Sequence, residues 1–244
     1  MQTSGPDGTD SCNDNDMNLA SYIDHTLLTG EVTSDQVKQL CSEANEYGFA
    51  NVTINPKWVP LASDILHRSQ VKVGSVVDFP LGSESTSIKT AQVTELIFAG
   101  ADEVDMVANI GAIIELDRGY FLNELSSVLK VCRSMRPSVT LKVIIESAAL
   151  TEDQKVFACG ICQQTGVDFI KTSTGLHPAG GASIEDVKLM AETAPGCRIK
   201  AAGGIKTASQ ALELIKAGAS RIGTSASIQI IEEFRKGGTG ELHQ

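Results

Sequence analysis

Basic residues are scarce in this chain. Twenty Lys and Arg stand against 30 Asp and Glu, for a formal net charge of −10 over 244 residues. Nucleic acid and anionic membranes both need a basic stripe, so neither is expected as a partner. No apolar run approaches the roughly 18 residues that span a bilayer. Met1 to Asp16 lack the charged start and apolar stretch of a signal peptide. They are polar and acidic, and residues 1–17 read as a disordered tail on a cytoplasmic protein. A disulfide framework is missing as well, because Cys12, Cys41, Cys132, Cys159, Cys162 and Cys197 are scattered. Cys159-Gly-Ile-Cys162 has redox or metal spacing, yet no second pair joins it, and His25, His67, His177 and His243 offer no ligand spacing. The motif also falls mid-helix, between Glu152 and Thr165, away from a helix start that would stabilise a thiolate. Buried structural thiols and no metal are the expectation.

What is present suffices for one large domain. Apolar residues make up 42% of the chain, and its length fits an α/β barrel of about 250 residues. A phrase recurs: an amphipathic helix, a glycine, then a short strand. Gly48, Gly100, Gly166 and Gly218 introduce strands ending near Val52, Val104, Ile170 and Ile222. Glycine past a helix takes the left-handed cap, and β-branched residues then start the strand. Strand candidates lie near Ser21–His25, Asn51–Ile54, Lys72–Val77, Glu103–Val107, Thr140–Glu146, Asp168–Thr172, Arg198–Ala202 and Arg221–Thr224. Thr33-Ser-Asp-Gln36 is a capping box that opens the clearest helix, Thr33 to Glu46. Ser183 with Asp186, and Thr207 before Ala208, mark two further starts. Eight βα units imply a single-domain α/β TIM (β/α)8 barrel over residues 18–236, with a flexible tail at 237–244. A doubly wound open sheet is the alternative, but no G-x-G-x-x-G follows the first strand.

In such a barrel the chemistry gathers at the C-terminal ends of the strands. There the sequence places Asp24, Asn55, Asp78, Asp105, Asn109, Glu146, Lys171 and Lys200. Lys171, in Phe-Ile-Lys-Thr-Ser-Thr-Gly175, and Lys200, in Arg-Ile-Lys-Ala-Ala-Gly-Gly204, each follow an apolar run and precede a glycine-rich turn. Burying an unpaired ammonium costs several kcal/mol or forces it neutral. Strands six and seven are neighbours, so the two lysines are too. An ordinary lysine is neutral in roughly one molecule in 2,500 at pH 7. A second cation about 4 Å away, at an effective dielectric near 20, adds roughly 4 kcal/mol to the cost of charging it, about three pKa units. A neutral amine of this kind suits Schiff-base formation, with Asp105 across the mouth as a proton shuttle. The turns Ala202-Gly203-Gly204-Ile205 and Gly223-Thr224-Ser225 stand where barrels bind phosphate, and Thr174-Gly175 and Gly180-Gly181 are candidate extra donors. Plainer readings coexist: Lys200 as a surface-reaching partner of Glu146, Asp105 as half of a buried ion pair, His25 as a satisfied core histidine, and Asn55 and Asp78 as turn formers.

Ile23-Asp-His-Thr-Leu-Leu28, Asp78-Phe-Pro-Leu-Gly82, Asp102-Glu-Val-Asp-Met-Val107, Leu141-Lys-Val-Ile-Ile-Glu146, Phe169-Ile-Lys-Thr-Ser-Thr-Gly175 and Lys200-Ala-Ala-Gly-Gly204 occur in this order. Together they closely resemble the class I, Schiff-base deoxyribose-phosphate aldolase family. The resemblance implies reversible cleavage of 2-deoxy-D-ribose 5-phosphate to D-glyceraldehyde 3-phosphate and acetaldehyde, with no metal and no cofactor. It also implies that Lys171 forms the Schiff base, that Lys200 lowers its pKa, and that Asp105 relays protons through water with Lys200. Asp24 and Thr26 would hold the sugar hydroxyl and Lys142 would orient the acid network. Thr174, Gly175, Gly203, Gly204 and Ser225 would complete the contacts to a small-molecule sugar phosphate. Barrels of this family commonly pair, so a homodimer is implied.

The sequence departs from the family pattern at four places. Thr53 stands where members often have cysteine. The loop Gly175-Leu-His-Pro-Ala-Gly-Gly-Ala182 is one residue longer than usual. Ser225-Ala226 replaces two serines, leaving the Ala226 N–H as the second donor. The end Gly-Glu-Leu-His-Gln lacks the tyrosine that some members use in proton transfer. A slower enzyme is the expectation. Two further readings are a sibling Schiff-base aldolase for another aldehyde and a non-catalytic sugar-phosphate-binding barrel. The second would be expected to have lost Lys171, Lys200 or Asp105, and all three are present.

Overall fold

The computed structural model describes residues 17–134 and 137–239 and closes eight parallel strands into a barrel in sequence order. The strands are β1 (Ile23–Leu27), β2 (Asn51–Ile54), β3 (Lys72–Val77), β4 (Glu103–Val107), β5 (Thr140–Ile144), β6 (Phe169–Lys171), β7 (Arg198–Ala202) and β8 (Ala219–Thr224). Around them run α1 (Ser34–Tyr47), α2 (Val59–Leu66), α3 (Thr86–Ala99), α4 (Ile110–Ile114), α5 (Arg118–Arg133), α6 (Glu152–Thr165), α7 (Ile184–Thr193), α8 (Ala208–Lys216) and α9 (Ser227–Thr239). The fold is a TIM barrel, not an open sheet. Of the two expected tails, residues 1–16 and 240–244 lie outside the described residues, while α9 continues through Thr239.

Local sequence explains where the helices begin and end. Thr33 and Gln36 form the expected reciprocal capping box at α1, and Thr151 with Gln154 and Thr207 with Gln210 repeat it at α6 and α8. Ser183 caps α7 by accepting the Asp186 N–H at 3.0 Å. Gly48, Gly100 and Gly166 end their helices in the left-handed conformation. Four strands differ in their limits from the sequence reading: β5 ends at Ile144 and not at Glu146, and β6 is Phe169–Lys171 and not Asp168–Thr172. Leu19–Tyr22 winds into a 3₁₀ turn, which delays β1 to Ile23, and β8 starts at Ala219. Asp24 is therefore the second of five residues in β1 and lies deep in the barrel, not at its rim.

Alternation along the strands divides apolar from polar. Val52, Ile54, Val104, Met106, Leu141, Val143, Ile170, Ile199 and Ile222 are buried in the core shared with the helices. Each large side chain buried in this way stabilises the fold by about 1.5–3 kcal/mol. The residues between them meet across the barrel, because contacts between non-adjacent strands can only pass through its interior. Asn51 Nδ2 on β2 donates to Glu103 Oε2 on β4 at 3.0 Å, and Lys142 Nζ on β5 lies 3.4 Å from Asp24 Oδ2 on β1. Cys159 and Cys162 sit buried and free within α6. Burial pushes the Cys159 thiol up to about 12 and the Cys162 thiol well above the usual range, so neither is a reactive thiolate.

Candidate active site

Strand register brings the two lysines side by side, with Lys171 opposite Lys200 and Asp105 opposite Lys142. Lys171 is the last residue of β6, whereas Asp105 and Lys200 are each third of five in their strands. The nucleophile candidate thus ends its strand at the mouth, level with Lys200 in the register. Asp105 joins the group: Oδ2 accepts from Lys171 Nζ at 2.8 Å and Lys200 Nζ at 2.7 Å, and Oδ1 accepts from Lys142 Nζ at 2.9 Å. Beneath it, Asp24 accepts from Lys200 at 2.5 Å and from Arg221 Nη1 at 2.6 Å. Glu103 closes the floor, 2.5 Å from Lys142 Nζ and 3.4 Å from Arg221 Nη1. Asp24, Asp105, Lys142 and Lys200 are fully buried, and Lys171 is 3% exposed.

The charges explain one another. Burial alone would raise the Asp105 carboxyl, but Lys142, Lys171 and Lys200 outweigh it and hold Asp105 well below the usual range. Asp24 behaves in the same way under Lys142, Lys200 and Arg221. Burial would strip Lys142 of its proton, yet Asp105, Asp24 and Glu103 hold that proton more tightly than in water. Lys171 is the exception. Burial pushes its ammonium down, Asp105 pulls it up, Lys200 and Lys142 push it down again, and the result is about 8. About one molecule in ten then carries a neutral Lys171 at pH 7. The like-charge repulsion expected from the sequence acts in the right direction. Burial is the larger cause, because Asp105 stands between the two amines.

Lys171 opens into a cavity of ≈ 380 Å³ at the C-terminal ends of the strands. Thr26 to Gly30 form one wall, Phe79 another, and Thr174 to Leu176, Ala202 to Ile205 and Gly223 to Ser225 the far end. Close packing shapes that end. Ala182 N donates to Gly203 O at 3.2 Å, and Ser173 Oγ donates to Ala202 O. A Cβ on Gly181 would meet Gly203 O at 2.2 Å, so only glycine lets the β6–α7 loop lie against the β7–α8 turn. Glu146, 3% exposed, accepts the Thr174 N–H and fixes the start of the same loop.

The expected site residues therefore fall into two layers. Thr26, Lys171, Thr174, Gly175, Gly203, Gly204 and Ser225 line the cavity, while Asp24, Asp105, Lys142 and Lys200 lie in the ion network and off the cavity wall. Lys200 does not reach for Glu146 at the surface; its partners are Asp24 and Asp105. Gly180 and Gly181 do not line the cavity, and the Gly180 N–H donates to His177 O. The Ala226 N–H, expected as a free donor, already binds Thr224 Oγ1 at 2.9 Å. Arg221, Glu103 and Phe79 were not expected. Arg221 and Glu103 share the inward parity of Lys200 and Asp105, a period-two signal present in the strand sequences. Among the described residues, no group of three or more His, Cys, Asp or Glu could hold a metal ion. No helix among them is long and apolar enough to cross a membrane.

Comparison with known proteins agrees with this geometry. Residues 18–230 match the DeoC/LacD family aldolase. Deoxyribose-phosphate aldolase of Caldanaerobacter subterraneus is 44% identical over 92% of this chain and 96% of its own length. That of Thermococcus kodakarensis is 47% identical over 89% and 97%. The tetrameric deoxyribose phosphate aldolase of Aeropyrum pernix superimposes with a TM-score of 0.82 at 32% identity, over 89% of this chain and 91% of that one. With the barrel and the lysine cluster, these likenesses make the chain a member of the DeoC/LacD aldolase family.

Proposed function

We propose that the chain is a class I aldolase that reversibly cleaves 2-deoxy-D-ribose 5-phosphate to D-glyceraldehyde 3-phosphate and acetaldehyde, using no metal. The observation that carries this reading is one lysine, Lys171, opening into the cavity with its ammonium lowered to about 8. Neutral Lys171 adds to the C1 aldehyde of the open-chain sugar, and loss of water gives an iminium. The C3 hydroxyl then gives up its proton and the C2–C3 bond breaks, its electron pair moving toward the iminium nitrogen. Three carbons leave as D-glyceraldehyde 3-phosphate. Protonation of the remaining enamine and hydrolysis release acetaldehyde and the free amine. The hydrogen-bonded chain Lys171–Asp105–Lys200 is the assigned proton path, completed by water. Asp105 is held ionised and serves as a conduit, not a store.

In this reading Thr26 contacts the sugar hydroxyls, while Asp24 and Lys142 act from below by holding Lys200 and Asp105 in place. Thr174, Gly175, Gly203, Gly204 and Ser225 form the phosphate end. The barrel unit is residues 18–236 and works in the cytosol, where its free buried thiols stay reduced. Homodimer assembly belongs to the same reading, supported by Leu81 at 73% and Phe98 at 78% exposure around α3. One observation favours a second reading, a sibling aldolase for an unphosphorylated aldehyde: among the described residues no cationic side chain other than Lys171 lines the cavity, and Leu176 is part of its lining.

Borohydride reduction in the presence of 2-deoxyribose 5-phosphate, followed by peptide mass mapping, tests the proposal. The expected product is a single adduct on Lys171, absent in Lys171→Ala. An adduct formed only with another aldehyde supports the sibling reading. Full trapping in Lys171→Ala sinks the assignment of the nucleophile.

A further inference from the structure

Asp24 faces into the barrel, so His25 faces out, into the space between α1 and α9. Its ring is held at both nitrogens: Nε2 lies 2.9 Å from Glu43 Oε2 and Nδ1 lies 2.9 Å from Ser227 Oγ. Glu43 is itself steadied by Gln39 Nε2 at 2.8 Å, and Phe49 packs against the imidazole at 5.1 Å. The Glu43 carboxylate can only accept, so it claims the Nε2 proton and leaves Nδ1 to accept; the one Ser227 hydroxyl proton is shared between His25 Nδ1 at 2.9 Å and Thr224 O at 3.2 Å. This is the order of a hydrolytic triad, but Ser227 is fully buried and does not line the Lys171 cavity. Holding a position is the work left to it.

Ser227 is the first residue of α9 and comes directly after the Gly223–Ser225 turn of the cavity. Upstream, Thr224 is pinned by its hydroxyl, which donates to Ile205 O at 2.7 Å and accepts the Ala226 N–H at 2.9 Å. The Ser225-Ala226 link is thus stretched between two anchors, Thr224 on the cavity side and Ser227 on the histidine side. We propose that His25, fixed by Glu43, is a positioning residue that sets the phosphate end of the cavity by anchoring Ser227. It acts on affinity for the phosphate group and not on the chemistry at Lys171, which sits on β6. The inference rests on the phosphorylated substrate proposed above.

Steady-state kinetics of the full chain on 2-deoxyribose 5-phosphate and on 2-deoxyribose, with inorganic phosphate as competitive inhibitor, make the test. Ser227→Ala and His25→Gln each remove the buried hydrogen bond, and His25→Asn restores an amide near the Nδ1 position. In the first two variants, KM for the phosphorylated sugar and Ki for phosphate should rise about three- to tenfold, the range of one such bond. Turnover number and kcat/KM on 2-deoxyribose should stay within about twofold, and His25→Asn should return KM to within about twofold of the parent. A role in folding alone would lower thermal stability while leaving both KM and Ki unchanged, and that result overturns the inference. Equal changes on both sugars overturn it too. A parent that shows no preference for the phosphorylated sugar removes the phosphate subsite itself, and this proposal with it.

Discussion

Replacing Lys200 with leucine separates its two possible contributions, field and proton transfer. Lys171 and Lys200 donate to the same oxygen, Asp105 Oδ2, at 2.8 and 2.7 Å. Their nitrogens therefore lie about 5 Å apart, where two like charges at an effective dielectric near 20 repel by about 3 kcal/mol, or about two pKa units. Burial still depresses Lys171 in the variant, but Asp105, relieved of one cation, pulls it up harder. The Lys171 ammonium should climb from about 8 to the neighbourhood of an ordinary lysine, near 10. The neutral fraction at pH 7 then falls about 100-fold, and kcat/KM with it. Profiles of kcat/KM from pH 5.5 to 10.5 provide the assay, with Lys200→Arg as the control that keeps the charge. Asp24 retains Lys142 and Arg221, and Asp105 retains Lys142 and Lys171, so the leucine variant stays folded at a cost of about 3–5 kcal/mol. An acid limb that stays near the parent's position while the rate drops equally at every pH would refute the electrostatic reasoning. It would leave Lys200 as a proton carrier alone.

Acid should expose the same network. Asp24 and Asp105 are held below their unfolded values by neighbouring cations, so their stabilisation is present above about pH 4 and is lost as pH falls toward the folded values. Urea midpoints should be flat from pH 6 to about 4.5 and drop steeply below, with a shallower drop in Asp24→Asn; equal midpoints at pH 5 and 3 would contradict this. Outside the barrel, Lys89 Nζ is fully enclosed and donates to Gly82 O at 3.0 Å, Val107 O at 2.8 Å and Glu124 Oε1 at 2.7 Å. Lys89→Met should cost about 3–5 kcal/mol by leaving Glu124 buried without its cation, and adding Glu124→Gln should recover part of it. Unchanged urea unfolding in the single variant would show that Glu124 finds another partner or protonates at no cost.

The barrel was legible because its signals are local. Capping residues such as Thr33 and Thr207, and the glycines after α1, α3 and α6, need only neighbours in sequence to act. Lys171 and Lys200 stood out because a lysine in a β-branched run violates the pattern around it. Depth was harder to read. Asp24 looked like a rim residue until the 3₁₀ turn before β1 moved the strand's start by two residues. Arg221 and Glu103 belong to the same floor but come from the first half of their strands, where an inward charge looks like an ordinary strand end. Hydrogen bonds such as Ala226 N–H to Thr224 Oγ1 depend on loop conformation, which residue types alone do not determine.

The floor of the barrel has a property that no single pair displays. Lys142, Lys171, Lys200 and Arg221 share one enclosure with Asp24, Glu103 and Asp105, four bases against three acids. Their formal charges cancel only when Lys171 has released its proton. In the mechanism proposed above, the form ready to attack a carbonyl is thus the electroneutral form of the interior, and forming the iminium would return one positive charge next to a phosphorylated substrate. Removing the charge of any of the other six changes which state of Lys171 is neutral overall. Arg221 and Glu103 lie off the cavity wall, so removing either charge would alter the balance of the interior while leaving the residues that line the cavity in place.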